Sequence, residues 1–126
     1  MFLSRFILTS FSTFCLVTAP AAWGHHGWNW AESDQTQLKG IVKAVQISPP
    51  HPRLEVETTN DGIWQVELGN PSQTRRAGFV EGSATPGDNI VVTGNRSRDH
   101  TEKRMKAVQI TVDGKTYDIY PDRIRK

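Results

Sequence analysis

Cysteine is nearly missing from this sequence. The single one, Cys15, lies within the first two dozen residues, so the rest of the chain has no disulfide to brace it and must depend on a packed core. Charge of one sign is also scarce. Fifteen Lys and Arg face thirteen Asp and Glu, a net +2, which argues against a strongly electrostatic nucleic-acid binder. There is no Gly-x-Ser-x-Gly elbow, no phosphate-binding glycine loop and no evident carboxylate pair, so the chain leans away from enzymatic chemistry. Nor is any apolar run long enough to cross a bilayer: Phe6 to Val17 is interrupted by Thr9, Ser10, Ser12 and Thr13. What remains is a chain of 126 residues, 37% hydrophobic and 22% charged, which suits one folded domain.

The first 24 residues read as an export signal. Arg5 supplies the positive start, the short apolar stretch follows, and Ala19, Ala21, Ala22 and Gly24 supply small residues near a cut. Two sites satisfy the small-x-small rule, one leaving Ala22 first and one leaving His25 first. Pro20 makes the former less suitable, so cleavage after Gly24 is expected, with a periplasmic or secreted product and no stable membrane insertion afterwards. No lipobox surrounds Cys15.

Residues 25–36 show no sustained period and read as an extended arm, with Trp28 and Trp30 on one side of it. Residues 37–126 read as the folded domain. A β-branched run, Leu38 to Ile47, carries Gly40 where a barrel strand could bend, and Pro49, Pro50 and Pro52 end it. Leu54, Val56 and Thr58 alternate with charged residues; Asn60-Asp61-Gly62 turns the chain; Trp64, Val66 and Leu68 return. Asn70-Pro71-Ser72-Gln73 is a helix start, with Gly78 suited to its end. Thr85-Pro86-Gly87-Asp88 reads as a type II turn. Ile90 to Thr93 and Met105 to Val112 are further strands, joined by a polar connection from Asn95 to Arg104, and Asp113-Gly114 leads into a last strand, Thr116 to Tyr120. The fold expected is mainly β: a small OB-like barrel of five or six strands, with one short helix between strands three and four.

The candidate chemistry is carried by histidine. With His25 first, its α-amine (pKa ~8) and ring Nδ1 can chelate one metal ion, and a further imidazole would complete a three-nitrogen set. That set suits Cu(II), which tops the affinity order for nitrogen donors. His26 is the neighbouring donor, and His51, held in Ser48-Pro49-Pro50-His51-Pro52, is the loop donor. An extended arm at ~3.3 Å per residue can reach nearly any face of a small barrel. Glu67, outward on its strand, is a candidate outer ligand. Against this stands the bland reading of each: polar histidines at a chain end and on a surface loop. Arg96, Arg98, Lys103, Arg104 and Lys106 read as a solvated hairpin rather than a nucleic-acid site, because Asp99 and Glu102 interrupt them and no aromatics stand among them. His100 reads as a surface histidine. Trp64 belongs to the core, while Trp28 and Trp30 could plug one barrel end and pin the His25-His26 pair near the wall.

His25-His26-Gly27-Trp28, Pro50-His51, Trp64 to Pro71, Arg76-x-Gly78-Phe79 and Pro86 to Gly94 together resemble a family of short exported bacterial proteins known only as a domain of unknown function. Its pattern is a His-His-Ser-aromatic start, an Asn-Pro-His loop, Trp-x-x-Glu and Pro-Gly-Asp. The resemblance implies that His25, His26, His51 and Glu67 fall on marked positions. Gly27 stands in place of the usual serine, and Pro49-Pro50-His51 in place of Asn-Pro-His. The expectation is an exported barrel that binds copper, or a similar divalent metal, through these residues. The alternative is a metal-free module that grips a peptide, glycan or envelope partner with the two barrel-end loops, 48–52 and 95–104.

Overall fold

The structure, a computed structural model, describes residues 27–126. The expected signal, His25 and His26 lie outside the described residues. Six strands follow in order: β1 (Thr36–Gln46), β2 (Arg53–Glu57), β3 (Ile63–Glu67), β4 (Asn89–Arg96), β5 (Arg104–Val112) and β6 (Lys115–Asp118). One helix, α1 (Pro71–Arg76), lies between β3 and β4. The strands pair in the order β3-β2-β1-β4-β5-β6, and a parallel pairing of β3 with β5 closes the first five into a barrel. This is the OB-like arrangement, with β6 added along β5.

Alternation builds the core. Leu54 and Val56 on β2, Trp64 and Val66 on β3, and Ile90 and Val92 on β4 all point inward and are buried. Two irregularities let long strands bend around the barrel while keeping their apolar residues inside. In β1 the register slips between Val42 and Ala44, so inward residues change from Leu38 and Val42 to Val45 and Ile47. In β5 the slip opposite Thr93 and Gly94 changes them from Met105 and Ala107 to Ile110 and Val112. Gly40 and Gly94 sit where neighbouring strands crowd closest. A Cβ at either would run into a backbone carbonyl, that of Glu57 or of Lys106.

The helix follows its sequence signals. Asn70 Oδ1 accepts from the Gln73 amide at 2.8 Å, Pro71 occupies the first turn, and Gly78 at φ +85° allows the chain to leave. Phe79 then packs edge-on against Tyr117, with ring centroids 5.1 Å apart. Two segments depart from expectation. The polar connection expected from Asn95 to Arg104 is shorter, because β4 runs on through Arg96 and buries Asn95. The arm, where described, is not extended throughout. Residues 27–30 form a turn closed by the Ala31 amide on the Trp28 carbonyl (3.0 Å), and Ala31 then bridges to Ser97. Asn95 fixes it there: its Nδ2 donates to the carbonyls of Glu32, Ser33 and Asp34.

Candidate functional site

The parallel seam between β3 and β5 brings charged side chains together on the outer wall. Val66, Met105 and Ala107 face inward, so Glu67, Arg104 and Lys106 face outward, with Glu67 in register with Lys106. Arg104 donates to Glu67 Oε1 through Nη2 at 2.6 Å and through Nε at 3.1 Å. The turn at 27–30 then lies over this face. Trp30 covers the Arg104 guanidinium, 3.7 Å from the ring centroid to Cζ. Trp28 meets Tyr120 edge-on at 4.9 Å, and the Lys106 ammonium lies 5.7 Å from both ring centroids. Arg123 stacks on Trp28 at 3.9 Å.

This cover changes the electrostatics beneath it. Burial pushes the Lys106 ammonium below the ordinary lysine range; Glu67 opposes the shift, and Arg104 and Arg123 reinforce it. Burial pushes the Tyr120 phenol upward, with Arg123 opposing and Glu67 reinforcing, so it stays a neutral donor at ordinary pH. Lys106 is 2% exposed and Glu67 9%. The expected solvated hairpin is therefore corrected: Arg104 and Lys106 belong to a covered wall. Their stems pack beneath aromatic rings supplied by residues far away in the chain. Trp28 and Trp30 likewise cover the wall at β5 rather than plug a barrel end.

Glu67 is outward, as its strand position requires, but covered and bonded to Arg104. His51 is exposed in the β1–β2 loop. The next residue, Pro52, accepts from the Leu68 amide at 2.9 Å, so His51 stands beside the end of β3, just past Glu67. Gly27, the first described residue after the His25-His26 pair, is packed against Lys106. Among the described residues no three His, Cys, Asp or Glu side chains are grouped to hold a metal. His100 pairs with Glu32, tying the β4–β5 loop to the N-terminal segment. Sequence reasoning missed Lys106, Tyr120 and Arg123 as parts of one site. A signal was present in shared spacing: Trp28 and Trp30 are two apart, as are Lys106 and Arg104, and each ring meets its cation.

The two barrel-end loops have different neighbours. The first borders an open groove of about 590 Å³ shared with residues 81–85. The second contacts the β2–β3 turn through Lys103 and Asp61 (3.7 Å) and the N-terminal segment through Arg98 and Trp30 (2.8 Å). Another open groove, about 710 Å³, runs over β1 and β4 beside Ile41, Asn89 and Val91, and contains none of the predicted site residues.

The model of a family of unknown function, DUF6152, matches residues 14–106, most of the chain. The chain belongs to this family. No curated protein sequence matches it. Among solved structures, the DUF6152 chain is similar to a chain of the Stn1–Ten1 complex from S. pombe (21% identity, TM-score 0.49, 62% of this chain and 57% of that one). It is also similar to Rim1, a mitochondrial single-stranded DNA binding protein from S. cerevisiae (8% identity, TM-score 0.50, 64% and 93%). A third similarity is to the ZRD-deleted mutant of TiaS in complex with agmatine (19% identity, TM-score 0.52, 72% and 27%). The DUF6152 chain thus spans little more than half of the Stn1–Ten1 chain and about a quarter of TiaS. At these identities the likeness to Rim1 and TiaS speaks for the barrel fold alone.

Proposed function

We propose that this DUF6152 protein is exported and handles a metal ion outside the cytoplasm. Copper is the ion best suited to its donors: His25 through amine and ring, His26 or His51 as the further nitrogen, and Glu67 in an outer position. One observation supports the reading: the described chain begins beside Lys106, across β3 from the end of the β1–β2 loop that carries His51. Gly27 abuts Lys106, Lys106 is in register with Glu67, and His51 precedes the residue bonded to Leu68.

The surrounding charge decides how such an ion would be held. Arg104, Lys106 and Arg123 repel a divalent cation, and both Arg104 bonds fall on Glu67 Oε1. Neutral amine and imidazole nitrogens are then the primary donors, and Glu67 supports them electrostatically. The test is a Cu(II) titration of protein exported and processed through its own signal, read by electron paramagnetic resonance, with the N-terminus fixed by mass spectrometry. The expected result is saturable uptake of one copper with nitrogen hyperfine structure, and an affinity lowered by at least about tenfold in His51→Ala. A chain beginning at Ala22 would remove the amine chelate. Absence of saturable uptake would overturn the metal reading altogether.

A further inference from the structure

The covered wall holds more positive charge than its own carboxylate balances. Arg104 and Arg123 both act on the Lys106 ammonium, and the carboxylate that acts on it, Glu67, is already bonded to Arg104. Among the described residues, no carboxylate lies within 4.0 Å of the Lys106 ammonium, although its side chain is almost fully buried. Residues 1–26 contain no Asp or Glu, so they bring no acidic side chain to balance it. A buried ammonium short of counter-charge is costly, and an anion from outside would relieve it.

The surroundings suit such an anion. Arg123 is exposed, with its Cζ 3.9 Å from the Trp28 ring centroid, so its guanidinium donors lie at the rim of the wall. Tyr120 adds a neutral phenolic donor that feels Arg123 and Glu67. Gly27, at φ +88°, brings bare backbone against Lys106: a Cβ there would lie 3.5 Å from Nζ, so glycine keeps a side chain away from the ammonium. We infer that this wall binds a small oxyanion, a carboxylate or a phosphate, between Lys106 and Arg123 at the rim formed by Gly27, Trp28 and Tyr120. The oxygens take charge-assisted hydrogen bonds from the ammonium and the guanidinium, with Arg104 and Glu67 behind them holding the cations in place.

This site does not depend on the metal reading, and its test is made on protein stripped of metal and desalted. Exported, processed protein is titrated with inorganic phosphate and, separately, with acetate, at an ionic strength held constant with sodium chloride. Nuclear magnetic resonance follows the Trp28 indole and the Lys106 side chain. The expected result is a saturable shift with at least one of the two anions, weakened by at least about tenfold in Arg123→Ala and in Lys106→Met. Saturation by phosphate alone assigns a phosphate site, and by acetate alone a carboxylate site. Arg123 is exposed, so its variant keeps the test valid even where Lys106→Met alters the wall. A drift with both anions that matches chloride, or a saturable response unchanged in both variants, overturns the proposal.

Discussion

Where β3 and β5 pair, each of the two faces is largely covered, by opposite means. Inward, Val66, Met105 and Ala107 exclude water because they are apolar and interlock with the residues of β2 and β4. Outward, Glu67, Arg104 and Lys106 are charged, and they are covered by rings from the 27–30 turn and by Tyr120 near the C-terminal end. The inner face gains from burial itself. The outer face must first offset the desolvation of its charges, through the Glu67–Arg104 bonds and the aromatic contacts. A buried surface that is costly to maintain is a better guide to function than one that stabilises the fold outright.

Each face of the wall can be disrupted separately. The largest effect is expected inside: Ile110→Ala should destabilise the protein by about 3 kcal/mol in equilibrium urea denaturation, since the barrel cannot collapse onto the cavity. Outside, Glu67→Ala should cost somewhat less, about 2–3 kcal/mol, because Arg104 and Lys106 are left without their carboxylate. Replacing Glu67 and Arg104 together by Met should recover most of that loss. A double variant as unstable as the single one would show that the outer wall is ordinary packing.

The smallest effect is a slope with pH. Lys106 has a depressed affinity for its proton in the folded protein, so between that lowered value and the ordinary lysine value of 10.5 the unfolded chain binds more protons. Its contribution to stability therefore rises as pH climbs through that window. Tyr120, shifted upward, acts in the opposite direction above its ordinary value of 10.0. Denaturation of the wild type and Lys106→Met at a series of pH values below 10 should show the rise in the wild type alone. Equal slopes would mean that Lys106 is not desolvated.

Much of the barrel was legible in the sequence because each signal was local. Alternation in β2 and β3, Gly40 in β1, the Asn70-Pro71 helix start, and the Pro86-Gly87 and Asp113-Gly114 turns act over a few residues, and all are found where expected. The Asn95–Arg104 connection was misjudged for a physical reason. Asn and Arg look like loop residues, yet Asn95 is buried because three backbone carbonyls of residues 32–34 take its amide. Lys106 misleads in the same way: a lysine between Met105 and Ala107 reads as a solvated outward residue until something covers it.

By itself, then, the sequence determined the strand pattern, the capped helix, the turns and the inward set of apolar residues, since φ/ψ preference and side-chain period operate between near neighbours. It also determined that His51 would sit in a proline-rich loop and Glu67 on the outer face. Only the tertiary structure decided that Glu67 would be held by Arg104, and that Trp28 and Trp30 would lie over Lys106 and Arg104. These contacts join segments more than thirty residues apart in the chain. Closure of the barrel through the β3–β5 pair, and no local preference, brings their cations and carboxylate together.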